Sequence, residues 1–380
     1  MAASGAHPNR RPLLALILLS PVIAEMLSGS TPPLEWLNPI GVLFLIWLYG
    51  AGVLVMRETA VRWKTGWPSI LLLGAAYGII EEGLAVKSFF DPNWMDLGSL
   101  GWYGRWIDVN WIWAVWLTIF HSVISISVPI FLTERIWPRI RGQPLTTRRG
   151  YITAIVLLAA ATVTIDLLLT PYRPSAWHLM GALAAVIFLI WAARRYADRL
   201  WAWLPAKKPP RTPRLYALAG FAFLMGSFLI YGGGPALGVY PIVTVLEGVA
   251  LLVGVMPLLR RTSADPDRWT RQRFAFVAGC VGFLIVLAAF LDDPVGGAEE
   301  EDARPTGLPA HRGLAHDEDG GAVQPDQEQH ADRIEPFYWW RGSGEHLRDD
   351  GGKEDQREEG PSVRMGPGGR HGFTRGTGGS

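Results

Sequence analysis

The chain has 380 residues, 49% of them hydrophobic, and a formal net charge of +1. Its single cysteine, Cys280, excludes an intrachain disulfide and any zinc site built from several thiolates. The near-neutral charge conceals an asymmetry: residues 12–291 are long apolar segments, while residues 292–380 are rich in Gly, Asp, Glu and Arg. No nucleic-acid module or phosphate-binding loop stands out, so nucleic acid is not an expected partner.

A helix needs about 20 mostly apolar residues to cross a bilayer. Nine segments qualify in chain order: 12–27, 40–57, 67–86, 111–132, 151–170, 177–193, 215–231, 240–259 and 274–291. The runs are continuous rather than alternating, which argues against barrel strands. Helices satisfy their backbone groups within the segment, as lipid requires. The expected fold is therefore all-α, a polytopic transmembrane helix bundle of about nine spans. It divides into an N-terminus (1–11), a helical domain (12–291) and a tail (292–380) too polar to bury a core and expected to be disordered. The first segment also has the layout of a signal peptide, with Arg10-Arg11 before the apolar run and Ser-Gly-Ser after it. Pro21 and Glu25 inside the run argue against cleavage.

Orientation follows from the basic residues of the loops. Alternate loops, starting with the N-terminus, carry 22 Lys and Arg residues; the intervening ones carry only Lys87, Arg105 and Arg173. The expected place is the plasma membrane, with the N-terminus cytoplasmic. An odd number of spans puts the tail outside the cytoplasm. The lipid bilayer is the first partner this implies.

Within this topology the ionisable groups of the spans gather in the outer half. Glu81 and Glu82 fall about 7–9 Å below the outer end of the third segment, at 1.5 Å per residue. His121 lies near mid-membrane in the fourth. Glu25, Asp166 and Glu247 lie near the outer ends of the first, fifth and eighth, and no acid is expected as deep on the cytoplasmic side. Such groups are costly in hydrocarbon and tolerable where they face the bundle interior or water. Helical spacing supports an inward face. Gly74, Gly78 and Glu82 share one stripe, and Gly74-xxx-Gly78 lets another helix approach, so Glu82 is expected to point at a neighbour. Glu81 shares its face with Tyr77. Thr118, His121, Ser122 and Ser125 form a polar stripe on the fourth segment, and Thr162 with Asp166 and Thr244 with Glu247 repeat the pattern. These stripes predict an outward-facing polar cavity lined by Glu25, Tyr77, Ser125, Asp166 and Glu247. Asp91, Asp96 and Asp108 lie in a long aromatic outer loop, where turn chemistry accounts for them. His178 is read as an interface residue.

Two functions fit these residues. In the first, the cavity binds or transports a small solute or proton; no clear two-fold internal repeat supports a transporter. In the second, Glu81, Glu82 and His121 are catalytic, hold a metal such as zinc and hydrolyse a membrane-embedded substrate. Only the second needs the three side chains to converge. A metal or other cofactor is implied by that reading alone.

The stretches AEMLSGSTPP and GWPSILLLGAAYGIIEEGLAVKSFFDPNW resemble a family of uncharacterised multipass membrane proteins of bacteria and archaea, over roughly residues 12–290. That resemblance implies the architecture and no activity. The order Glu81-Glu82, His121, His178 is also similar to the CAAX-type intramembrane metalloproteases. That family's pattern has Arg where this chain has Val86, Phe where it has Leu117, and Asn or Asp where it has Ala182.

Overall fold

The computed structural model describes residues 10–31, 33–94, 97–203, 212–263 and 270–291. Residues 1–9, Asp96 and the tail 292–380 lie outside the described residues.

The first helix, α1 (Arg10–Pro21), continues into a π-helical turn, Val22–Met26. Seven longer helices and one short one precede the last: α2 (Pro39–Trp63), α3 (Trp67–Ala85), α4 (Trp111–Ile136), α5 (Arg148–Leu169), α6 (Ala176–Arg195), the short α7 (Ala197–Trp203), α8 (Pro213–Gly233) and α9 (Pro241–Ser263). The last is α10 (Thr270–Leu291). Between α3 and α4 a two-stranded hairpin pairs β1 (Arg105–Trp106) with β2 (Val109–Asn110).

Among the described residues, eight helices are long and apolar enough to cross a membrane, and they match the second to ninth of the expected segments. The segment that falls short is α1 with its continuation. From Arg10 to Met26 it rises only about 26 Å, against a hydrocarbon core of about 30 Å, and it opens on two arginines. It is nonetheless packed into the bundle, with Leu16, Ser20 and Glu25 buried.

Local chemistry sets the helix ends. The Asn38 side chain accepts hydrogen bonds from the Ile40 and Gly41 amides ahead of α2, and Asn110 accepts from the Trp113 amide at 3.0 Å ahead of α4. Thr147 caps α5 in the same way. Lys64, with φ of 57°, ends α2 in the left-handed conformation. Inside α4, Pro129 cannot donate to the carbonyl of Ser125. The Ser20 hydroxyl of α1 donates to that carbonyl at 2.7 Å, so a neighbouring helix supplies the missing hydrogen bond.

Small residues set the closest contacts. A Cβ on Gly74 would stand 2.9 Å from Ser122 Cα, and one on Gly78 would stand 3.0 Å from His121 Cβ. The stripe that was expected to admit a neighbour therefore admits α4. Gly220 of α8 and Gly279 of α10 face each other's backbones more closely still.

The end of the bundle carrying the basic loops holds a buried ionic network. Arg57 and Glu58 are fully buried and lie within α2, which runs six residues past the expected end of its span. Arg57 contacts Glu58 and Glu134, each at 3.1 Å, and donates to the carbonyls of Ile140 and Gln143. The expectation of no comparably placed acid on this side is corrected by Glu58. A carboxylate can enter protein interior here because Arg57, Arg62 and the Leu145 amide meet it.

Candidate functional site

Five π-helical stretches occur among the described residues, one in each of the first five long elements. They are Val22–Met26, Ile46–Gly50, Ile80–Ala85, His121–Ser127 and Ile165–Leu169. A π turn widens the helix and displaces side chains from the α-helical register, and such turns are frequent at functional sites. Four of these five carry the residues of one buried cluster: Glu25, Tyr49, Glu81 with Glu82, and His121 with Ser125.

His121 is at the centre, 2% exposed. Its Nε2 lies 3.0 Å from Glu82 Oε1, and its Nδ1 lies 3.3 Å from Glu81 Oε2 and 2.9 Å from Ser125 Oγ. One ligand atom from each of Glu81, Glu82 and His121 lies within 4.8 Å of the other two. Glu82 Oε2 accepts a hydrogen bond from Ser88, whose hydroxyl in turn accepts from Trp113 Nε1 at 3.0 Å. Tyr49 and Tyr77 flank the imidazole, with ring centroids 6.2 and 6.0 Å from it. The Tyr49 hydroxyl donates to Glu25 Oε1, and Thr31 donates to Glu25 Oε2 at 2.8 Å. The Tyr77 ring rests against Gly52, where any larger residue would collide with it.

Two features mark the cluster as more than packing. Glu81 Oε2, which has His121 Nδ1 at 3.3 Å, and the Tyr77 hydroxyl, which interacts with Glu81, are buried with no well-formed hydrogen bond to a described residue. Buried polar atoms in that state call for an ion or a water. The second feature is charge. Glu25, Glu81 and Glu82 are buried carboxylates, and among the described residues no Lys or Arg forms an ion pair with them. A site with this much negative capacity has to take up positive charge, as protons or as a metal cation.

The structure thus brings together Glu81, Glu82, His121, Glu25, Tyr77 and Ser125. It does not bring in two others. Asp166 sits on the fifth π turn, 30% exposed, and pairs with the buried Lys87 at 2.7 Å. Lys87 also donates to the carbonyls of Asp166 and Thr170, so this pair ties α5 to the end of α3. Glu247 is exposed on α9. The separation has a physical reason: a polar stripe shows that a helix has a wet face, not which neighbour it meets. His178 also stands apart, held between Ser175 Oγ at 2.8 Å and the Ile107 carbonyl at 2.9 Å, with its ring tilted against Phe90. Asp91 accepts from the Asn93 amide at 2.9 Å, an ordinary turn, and Asp108 occupies the tip of the hairpin.

Sequence reasoning missed Tyr49, Ser88, Trp113 and Thr31. Tyr49 lies in an apolar run that reads as lipid-facing, and the other three belong to loops or segment starts whose return path onto the site is tertiary.

Fold and cluster together define an integral membrane protein: a helix bundle with an ionisable centre buried between its helices. The chain belongs to an uncharacterised membrane protein family, whose model matches residues 14–292. No curated protein and no solved structure matches it. The similarity to CAAX-type metalloproteases gains nothing from these comparisons, and the second histidine that it implies, His178, lies away from the cluster.

Proposed function

We propose that Glu81, Glu82 and His121 hold a divalent cation of the zinc class within the bundle, and that the chain uses this centre to hydrolyse a membrane-embedded substrate. The observation that carries the reading is the convergence of two carboxylates and an imidazole, all buried, with no Lys or Arg ion-paired to them among the described residues. Donor atoms bound to one such ion at about 2.0–2.2 Å stand about 3.0–3.5 Å apart. The Glu82–His121 separation of 3.0 Å already fits. Glu81 approaches the opposite ring nitrogen, so a shared ion requires its carboxylate to rotate, and no well-formed hydrogen bond holds its Oε2 in place. A bound ion there supplies a Lewis acid and a water of lowered pKa. The chain's own contribution is orientation: Ser125 holds one side of the imidazole, and Ser88 with Trp113 holds Glu82.

A second reading rests on a different feature. Carboxylates meet both nitrogens of His121, the arrangement of a proton relay, and Glu25 with Tyr49 extends it. Proton binding or transport then replaces metal chemistry. An open cavity for a larger solute fits less well, since Glu81 and Glu82 are only 4% and 9% exposed.

Metal analysis of the purified full chain separates these readings, with wild type beside Glu81→Gln, Glu82→Gln and His121→Ala. The expected result is about one zinc per wild-type chain and loss of most of it in each variant. Metal-free samples of four folded proteins would sink the metal reading and leave the relay.

The proposal includes the membrane orientation, with the N-terminus cytoplasmic and the tail on the opposite face. The alternation of basic loops supports it. So does α1, which packs along α4 from Ser20 to the cluster at Glu25, as a crossing segment would.

A further inference from the structure

The β1–β2 hairpin carries two large apolar side chains outward. Trp106 is 67% exposed and Ile107 65%, and Trp102 and Trp177 are exposed as well. The turn between the strands is strained. Ile107 and Asp108 have φ of 51° and 52°, a conformation that two-residue hairpin turns normally give to Asn and Gly and that a β-branched residue rarely adopts. The tip thus combines an uncomfortable backbone with an apolar side chain left largely unpacked.

The hairpin is nevertheless held from several sides. Arg105 Nη1 donates to the carbonyls of Phe90 at 2.8 Å and Asp108 at 3.0 Å. Trp111 Nε1 donates to the Trp106 carbonyl at 3.1 Å, and His178 Nε2 donates to the Ile107 carbonyl at 2.9 Å. The last of these contacts sets the height of the tip. Helix α6 has 20 residues and rises about 30 Å, the thickness of the hydrocarbon core. His178 is its third residue, so it lies at the hydrocarbon boundary, and the Ile107 carbonyl lies there with it. Helix α4 is consistent with this level. Its 26 residues rise about 39 Å, which reaches into the headgroup layers, and β2 runs directly into its first residue, Trp111.

We propose that the tip of this hairpin inserts into the bilayer at the headgroup–acyl boundary, with Trp106 and Ile107 in contact with lipid and Asp108 among the polar headgroups. An indole suits that boundary because it combines an apolar body with one hydrogen-bond donor. The exposed Asp108 limits the depth, since a carboxylate is costly further in. The shared height with the start of α6 selects the bilayer over a soluble partner. The inference holds for either orientation of the bundle and needs no metal at the Glu81–Glu82–His121 cluster.

The test is a spin-label depth measurement by electron paramagnetic resonance, on the full chain in phosphatidylcholine vesicles. Labels are placed at Ile107→Cys and Trp106→Cys, and at Gln143→Cys in the exposed loop after α4 as the aqueous reference. The unsubstituted protein, whose one cysteine, Cys280, is fully buried, gives the labelling background. All three substituted side chains are exposed, so the variants keep the core intact. Collision with oxygen, which concentrates in lipid, and with a water-soluble nickel chelate gives the depth of each label. The expected depth at position 107 is about 5–10 Å below the phosphates, with the label at position 143 fully open to nickel. Nickel access at position 107 equal to that at position 143 would overturn the proposal. So would a label at position 107 shielded from both reagents, because protein would then cover the tip. Spin–spin broadening that disappears on dilution with unlabelled chain would identify that cover as a second copy.

Discussion

Replacing Arg57 with Ala is expected to lower stability by about 3–5 kcal/mol, the usual consequence of removing one partner from a buried ionic network. The guanidinium is fully buried and holds four groups at once: Glu58, Glu134 and the carbonyls of Ile140 and Gln143. Without it, the Glu134 carboxylate and two carbonyls lose their partner inside the protein. Glu58 keeps Arg62 at 3.1 Å, the Leu145 amide at 2.8 Å and the Thr146 hydroxyl at 2.9 Å, so the loop is weakened rather than released. Thermal unfolding in detergent reads the effect. Arg57→Met separates packing from charge and should be nearly as damaging. A loss under about 1 kcal/mol would mean that water already reaches this network. The cluster at the other end does not contact Arg57, so zinc uptake by the folded fraction of the variant should match that of wild type.

The contact between α8 and α10 is expected to be the least tolerant of added volume. A Cβ on Gly279 would lie 1.9 Å from the Ala217 carbonyl oxygen, and a Cβ on Gly220 would lie 2.0 Å from that of Phe276. Both obstacles are backbone, so no rotamer change relieves them and the helices must separate. Overpacking commonly costs about 1–3 kcal/mol, and Gly279→Val should fall at the top of that range or above it. Gly279→Ala should already lower the melting temperature. Separation would also open the space around Cys280, whose thiol donates to the Gly220 carbonyl at 3.4 Å. Faster modification of Cys280 by a membrane-permeant maleimide in Gly279→Val is the accompanying signature. An unchanged melting temperature in both variants would show that these helices meet through another face.

Much of the architecture was legible because lipid imposes a simple rule on composition. The segment expected at 67–86 is the helix Trp67–Ala85, and that expected at 177–193 is Ala176–Arg195. Errors arose where tertiary partners override the rule. Helix α2 continues through Arg57, Glu58 and Arg62, which read as a loop, because those charges find each other and the 138–147 segment. The site was legible in part: Gly74, Gly78 and Glu82 on one stripe pointed to a neighbour, and that neighbour is His121. Helical-wheel reasoning had more difficulty with Glu81 and Glu82 together. Adjacent residues of an α-helix diverge by about 100°, yet both carboxylates reach one imidazole. The π turn at Ile80–Ala85 is what allows it, and no residue pattern announced that turn or the one that places Tyr49. Asp166 had the same polar-stripe signature as the true members and turned to Lys87 instead.

If His121 and the two glutamates share one metal ion, X-ray absorption at the zinc edge of the zinc-loaded full chain should record it. The expected spectrum is a shell of nitrogen and oxygen donors at about 2.0–2.2 Å, with the multiple-scattering pattern of one imidazole that disappears in His121→Ala. A protein that takes up no zinc, or a spectrum without imidazole that is the same in wild type and His121→Ala, would contradict it.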